Sequence, residues 1–235
     1  MEKKKRYWPS LPEKALDWEF TSIIFGRPIA AFILYPFKSF LSPNIVTIIS
    51  FILALIGTGL LLTGSNIYLI SVLLFLSMIL DDGDGLLARY QGKTSYFGSY
   101  LDKSVDIIRF FLLFNVLSWI AFKQNGNFFI AVSGSVAACG LLIQGYTKWL
   151  TSHMEMKRGV GDLVDKPSED VPWVGGILKS IFWPFAECDL TLWIIALLIA
   201  GRIDILVIIL AVSQFTAALI SIFQRGFQST GFDRK

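Results

Sequence analysis

Long apolar runs separated by short polar connections dominate the pattern of this chain. The runs lack the strict alternation of apolar and polar positions that marks a half-buried β-strand. Because about 20 apolar residues cross the hydrocarbon core of a bilayer as a helix, each run is a candidate membrane span. We predict six spans. The fifth is short, and an earlier start near Phe182 is an alternative for it. The spans are Asn44–Thr63, Ile67–Arg89, Gly98–Phe122, Phe128–Leu150, Asp189–Ala200 and Ile203–Phe223.

A mixed segment, Leu16–Leu41, precedes the first span and combines apolar and aromatic residues with charges, interrupted by Pro28 and Pro36. This composition is typical of an amphipathic helix that lies in the membrane interface; a short additional span is the alternative. The predicted fold is therefore an all-α integral membrane protein. Its parts are an N-terminal segment (1–42), a six-helix transmembrane domain (43–226) and a tail (227–235).

Composition supports a membrane protein and excludes several classes. Hydrophobic residues make up 54% of the 235 residues, charged residues 17%, and the mean hydropathy is +0.61. Soluble domains carry about 25% charged residues. The net charge of +3 is too small to indicate a nucleic-acid partner. The single histidine, His153, is interpreted as an ordinary loop residue, so neither a His-based metal site nor a Ser-His-Asp triad is expected.

The positions of Lys and Arg predict the topology. They concentrate before the first span, between spans two and three, between spans four and five, and after span six. The other side has only Lys123 and Arg202. Because positively charged loops stay in the cytoplasm, both termini are predicted to be cytoplasmic, in a cell membrane of prokaryotic type.

Four acids lie where the second span ends and the third begins. Asp81 and Asp84 are three residues apart, Asp102 and Asp106 are four apart, and each pair shares a helix face. A short connection makes the two helices antiparallel neighbours, so all four carboxylates are expected to face one small volume. Charges at membrane depth indicate function by default. Carboxylate ligands suit Mg²⁺ or Mn²⁺, and two such cations would neutralise the cluster.

Other interpretations of this stretch explain less of it. A turn accounts for Asp82-Gly83 but not for the later acids. An EF-hand loop beginning at Asp82 fails because Leu86 and Leu87 occupy its fifth and sixth positions. A match to a dinucleotide-binding glycine pattern lacks the βαβ context which that pattern requires.

The spacing of these residues resembles that of the CDP-alcohol phosphotransferase family, D-x2-D-G-x2-A-R-x8-G-x3-D-x3-D. Eight fixed positions are filled over 26 residues. They are Asp81, Asp84, Gly85, Ala88, Arg89, Gly98, Asp102 and Asp106. The resemblance implies that Asp81, Asp84 and Asp102 bind two divalent cations, Mg²⁺ or Mn²⁺. It implies that Asp106 binds the second cation and acts as the catalytic general base.

The same resemblance implies a site for a CDP-linked donor. Gly85 and Arg89 would hold the CDP group, and Ser95 lies where family members contact the diphosphate. Asn44 and Thr47 belong to a Pro-Asn-x-x-Thr element that would contact the nucleotide. For these two residues, a helix cap is the alternative interpretation and is compatible with binding.

The acceptor site is less defined. Arg109 shares a helix face with Asp102 and Asp106, so it either binds an anionic acceptor or pairs with an acid. Lys148 lies in a Tyr-x-Lys element similar to that of the family, and it either binds the acceptor or is an interfacial cation. Members that use inositol phosphate typically have Arg two residues after this Lys. Leu150 occupies that position here, which argues against a phosphoinositol acceptor.

The resemblance therefore implies a membrane enzyme of phospholipid biosynthesis. It would transfer a phosphatidyl-type group from CDP-diacylglycerol, or an equivalent lipid, to a small alcohol and release CMP. Transfer of a head group from a CDP-alcohol to a lipid alcohol is an alternative. A divalent-cation transporter or channel is an alternative of another class, as is an inactive relative. A homodimer surrounded by membrane lipids, with no nucleic-acid partner, is expected.

Overall fold

The computed structural model describes Trp8, residues 21–157 and residues 187–233, and every regular element in these parts is helical. A π-helical turn (Ser22–Gly26) leads into α1 (Arg27–Leu34) and a 3₁₀ turn (Tyr35–Phe37). Six longer helices follow. They are α2 (Pro43–Leu62), α3 (Ile67–Gln91), α4 (Tyr96–Asn125), α5 (Phe128–Lys157), α6 (Glu187–Ile199) and α7 (Ile203–Asp233).

The predicted all-α membrane fold is confirmed, and a helix covers each predicted span. Among the described residues, α2, α4, α5 and α7 are long and apolar enough to cross a membrane. The acids at the end of α3 interrupt its apolar character, and α6 has only 13 residues. The number of crossings therefore remains a prediction. Helix α7 continues to Asp233, past the predicted boundary at 226. The proposed earlier start of the fifth span, at Phe182, lies outside the described residues.

Small residues and polar pairs hold the long helices together. A Cβ at Gly134 on α5 would overlap the carbonyl oxygen of Phe114 on α4, and one at Gly140 would lie 2.6 Å from the backbone of Gln214 on α7. Helices in membranes associate through such close backbone approach and through hydrogen bonds between side chains. Two hydrogen bonds extend the α5–α7 contact: Gln144 to Gln214 (2.9 Å) and Thr147 to Ser221 (2.7 Å).

The N-terminal segment packs against the acid-bearing end of α3. The Ser22 hydroxyl donates to Oδ1 of Asp82 (2.7 Å), and a Cβ at Gly26 would overlap the Asp82 carboxylate. The next residue of α3, Gly83, leaves room for Leu34 of α1. Of the predicted amphipathic segment Leu16–Leu41, residues 21–41 are described; placement in the membrane interface remains a prediction.

A short connection brings the end of α3 next to the start of α4. Gly92 ends α3 with a φ of 63°, a conformation that glycine adopts without steric cost. The Ser95 side chain accepts a hydrogen bond from the Gly98 N–H (3.0 Å) and so caps α4. The two halves of the acidic motif therefore face each other at one end of the bundle.

Candidate active site

Three of the four predicted acids meet at this end of the bundle. Carboxylate oxygens of Asp81 on α3 and of Asp102 and Asp106 on α4 all lie within 4.8 Å of one another. Asp106 is only 4% exposed. Carboxylates at this separation are the donor set that a hard cation such as Mg²⁺ or Mn²⁺ takes. The acidic cluster, meaning Asp81, Asp102 and Asp106, therefore fits a divalent cation.

Arg109 joins the two helices within the acidic cluster. Its Nη2 atom lies 3.1 Å from Oδ2 of Asp81 and 2.8 Å from Oδ1 of Asp106, and the residue is 7% exposed. Lys103 adds contacts with Asp102 (3.1 Å) and Asp106 (3.8 Å). Of the two interpretations of Arg109, the structure shows the ion pairs. A role in acceptor binding stays a prediction.

Asp84 is not part of the acidic cluster, so the expectation that four carboxylates share one volume is met by only three. Its Oδ2 atom accepts a hydrogen bond from the Thr47 hydroxyl of α2. The same hydroxyl lies 3.2 Å from the carbonyl oxygen of Pro43, one turn earlier. Asp81 and Asp84 lie on the same side of α3, but α2 packs beside Asp84 and α4 beside Asp81, so each carboxylate finds a partner on a different helix.

A cavity of about 180 Å³ adjoins the acids. It contains four of the five residues predicted to bind the donor, together with Asp84 and Asp102. The lining consists of Pro43, Asn44, Thr47, Asp84, Gly85, Ala88, Lys93, Thr94, Ser95, Gly98, Ser99 and Asp102. We call this the donor cavity. It unites the ends of α2 and α3 with the start of α4.

Two glycines keep the donor cavity open. A Cβ at Gly98 would lie 3.1 Å from Oγ of Ser95 and 3.2 Å from Oδ1 of Asn44. A Cβ at Gly85 would lie 3.3 Å from Nη1 of Arg89. The Arg89 guanidinium therefore lies over Gly85, beside the cavity, although Arg89 is not among the lining residues.

Lys148 lies on α5, which contributes no residue to the described lining of the donor cavity. It is exposed on α5, and within the described part of the chain it neither lines the donor cavity nor forms a salt bridge with the three clustered acids. Leu150, two residues later, is also exposed. The acceptor role predicted for Lys148 remains untested.

The sequence interpretation did not identify several polar residues around the site. The Ser50 hydroxyl of α2 donates to the Ser77 carbonyl (3.0 Å) and approaches Oδ1 of Asp81 (3.5 Å). Lys93, Thr94 and Ser99 line the donor cavity. Lys93 and Thr94 lie in the short connection between the two halves of the motif. Their position in this connection is the sequence signal that could have identified them. Ser50 carries no such signal, since small hydroxyl residues also occur as packing residues in membrane helices.

Comparison with known proteins adds two findings. A family model described as CDP-alcohol phosphatidyltransferase matches residues 40–161, slightly more than half of the chain. The chain is also 25% identical over 154 residues to a phosphatidylinositol phosphate synthase of Streptomyces avermitilis. That alignment covers 65% of this chain and 63% of the length of the relative. The acidic cluster and the donor cavity lie inside the residues matched by the family model.

Proposed function

The chain belongs to the CDP-alcohol phosphatidyltransferase family, and from this premise we propose that it transfers a phosphatidyl-type group from a CDP-linked lipid to an alcohol. The products are a phospholipid and CMP. One observation carries the proposal: the acidic cluster adjoins the donor cavity, and Asp102 belongs to both.

The reaction exchanges one phosphorus–oxygen bond for another. The acceptor hydroxyl oxygen attacks the phosphorus that bears the lipid, and the bond from that phosphorus to the CMP oxygen breaks. Asp106 takes the hydroxyl proton as a general base, a contribution of about 10²–10⁴ in rate. Arg109 and Lys103 hold the Asp106 carboxylate in position from two sides.

Divalent cations complete the proposed site. Mg²⁺ or Mn²⁺ held by Asp81, Asp102 and Asp106, with Asp84 beside them at the cavity wall, would stabilise the charge on the diphosphate and on the departing CMP. The fit of three close carboxylates to a hard cation supports this assignment. A second cation rests on the family resemblance alone.

The donor cavity is proposed to receive the CDP group. Asn44 and Thr47 offer an amide and a hydroxyl, and the glycine at position 85 lets the nucleotide approach the backbone. Arg89 and Ser95 provide a planar cation and a hydroxyl for phosphate oxygens. The lipid chains of the donor would remain among the helices, with the nucleotide at the cytoplasmic surface.

The acceptor is proposed to be a small alcohol, bound near Arg109 or Lys148. The relative from Streptomyces avermitilis is named for a phosphatidylinositol phosphate product. Leu150 replaces the arginine that the family resemblance associates with inositol phosphate, so we do not extend that acceptor to this chain. A homodimer remains part of the proposal on the basis of the resemblance.

CMP release by the purified full-length protein tests the proposal. CDP-diacylglycerol, Mg²⁺ or Mn²⁺ and one alcohol at a time would be supplied, with an EDTA control. Asp106→Asn should reduce release by at least about 100-fold. Asp204→Asn is the matched control, because Asp204 is an acid at the start of α7 that pairs with Arg202.

The outcomes separate the alternatives. Metal-dependent release with one alcohol supports the proposal and identifies the acceptor. Release only from a CDP-linked head group with a lipid alcohol supports the head-group alternative. No release with either donor class contradicts both enzyme hypotheses and leaves the transporter or channel hypothesis. Arg109 argues against that hypothesis, because a guanidinium that bridges two acids would oppose the passage of cations.

A further inference from the structure

A second cavity, of about 390 Å³, lies beside the donor cavity and has no role in the proposed reaction. It is lined by Lys38, Ser39, Tyr90, Gln91 and Lys93. We call it the basic cavity. It is open to the surface, as a site for a lipid headgroup requires. It lies between the chain segment entering α2 and the C-terminal end of α3, and Lys93 lines both cavities.

The walls of the basic cavity carry positive charge from two lysines. The Gln91 amide donates to the carbonyl oxygens of Lys38 (3.0 Å) and Leu41 (2.7 Å). At the end of α3, the backbone N–H groups of Gly92 and Lys93 donate to the carbonyl oxygens of Ala88 and Arg89. Oε1 of Gln91 is a buried acceptor without a hydrogen-bond partner among the described residues. The preference for an anionic ligand therefore rests on the charge of Lys38 and Lys93.

The two lysines, Lys38 and Lys93, have no acidic ion-pair partner within the described parts of the chain. The Lys38 ammonium instead lies 3.7 Å from the ring centroid of Tyr35 and 5.7 Å from that of Tyr90. Contact with aromatic faces orients an ammonium without cancelling its charge.

Exposed aromatic residues flank Lys38 along the chain. Tyr35, Phe37 and Phe40 are 58%, 43% and 71% exposed, and Lys38 lies in the same short stretch. Aromatic side chains concentrate at the interface between the acyl chains and the headgroups. A basic cavity beside interfacial aromatic residues lies at the depth of the lipid phosphates. These aromatic residues favour a lipid over a soluble anion, because a soluble anion has no acyl chains to contact them.

We propose that the basic cavity binds the phosphate of an anionic phospholipid headgroup, through Lys38 and Lys93, with the acyl chains against Tyr35, Phe37 and Phe40. Basic pockets at helix ends on the cytoplasmic side bind such headgroups in other membrane proteins. The bound lipid is separate from the lipid of the CDP-linked donor. The inference does not depend on the proposed reaction.

Native mass spectrometry of the full-length protein in detergent tests this inference, with no nucleotide present. The protein would be loaded with phosphatidylglycerol or with phosphatidylcholine of the same acyl chains. Since one Lys near anionic lipid contributes about 1 kcal/mol, Lys38→Gln should weaken phosphatidylglycerol retention about fivefold, and Lys38→Arg should restore it. Lys123→Gln is the matched control, because Lys123 lies over the Trp119 ring (5.2 Å) at the other end of α4.

Two results would overturn the inference. One is equal retention of phosphatidylglycerol by the unchanged protein and by Lys38→Gln. The other is Lys38-dependent binding of soluble glycerol phosphate with no preference for phosphatidylglycerol over phosphatidylcholine, which would indicate a soluble phosphate ligand. If Lys38→Gln does not fold, as judged by gel filtration and thermal unfolding, Lys93→Gln serves in its place, since Lys93 is exposed.

Discussion

Nη2 of Arg109 lies 2.8 Å from Oδ1 of Asp106, one turn earlier on the same helix. The same nitrogen is 3.1 Å from Asp81 on the neighbouring helix. One buried guanidinium thus balances carboxylates from two helices, and a divalent cation bound to these acids would share them with Arg109. Stability and metal binding are therefore expected to depend on each other at this site.

Arg109→Met should destabilise the protein by about 3–5 kcal/mol in the presence of EDTA, because it leaves buried carboxylates without their partner. Added Mn²⁺ should raise the unfolding temperature of the variant more than that of the unchanged protein. Thermal unfolding in detergent, with and without metal, measures both. Arg202→Met is the control: its ion pair with Asp204 is exposed to solvent, and such pairs contribute little to stability. Equal stability of the two variants would contradict the role given to Arg109.

Asp102→Asn should weaken Mn²⁺ binding, because it removes one of the three carboxylates that meet in the acidic cluster. The Kd for Mn²⁺ should rise at least about tenfold, since even residues that only orient the metal ligands change metal affinity by this factor. Electron paramagnetic resonance of free Mn²⁺ reports binding without requiring activity. Asp204→Asn should bind Mn²⁺ like the unchanged protein; unaltered binding by Asp102→Asn would remove this residue from the metal site.

Thr47→Val should weaken the binding of CMP. The Thr47 hydroxyl lines the donor cavity, where it is proposed to contact the nucleotide, and a typical hydrogen bond contributes about 0.5–1.5 kcal/mol. We expect a Kd for CMP that is higher by up to about tenfold, measured by isothermal titration calorimetry. Thr58→Val tests specificity, since Thr58 is also buried on α2 but does not line the cavity. An equal effect of both substitutions would indicate a general change in α2.

Gly140→Ala should separate α5 from α7, because the new Cβ would overlap the backbone of Gln214. The expected destabilisation is about 1–3 kcal/mol or more. Gly145→Ala on the same helix has open space around its Cβ and should be neutral or stabilising by up to about 1 kcal/mol. Thermal unfolding of both variants measures the difference. Equal unfolding temperatures would indicate that α5 and α7 are not closely packed at Gly140.

The sequence predicted the helices well. A single apolar segment that crosses a bilayer must satisfy its backbone hydrogen bonds within itself, which only a helix does. Helix α2 begins and ends within one residue of the predicted span. The prediction stopped short on α7, since the polar residues after Phe223 do not reveal whether the helix continues into water.

The sequence identified the acids but not how they are shared among neighbouring helices. Spacing placed Asp81 and Asp84 on one face, whereas the structure turns Asp84 to Thr47 and Asp81 to Arg109. That division depends on how α2 and α4 cross α3, which periodicity does not encode. The contact of Ser22 with Asp82 also joins parts of the chain 60 residues apart, with no local pattern to predict it.

Helix α3 also has a consequence for how the protein is made. Its three acids, Asp81, Asp82 and Asp84, lie toward its C-terminal end. There each still lowers the tendency of α3 to enter a bilayer alone, by less than the cost of an Asp at a helix centre, which is about 2.5–3.5 kcal/mol. Each acid is satisfied by a different part of the chain: Arg109 of α4, Ser22 of the N-terminal segment, and Thr47 of α2. Correct integration of α3 during synthesis thus requires elements made both before and after it. The residues proposed for catalysis therefore also make biogenesis of this helix a cooperative event.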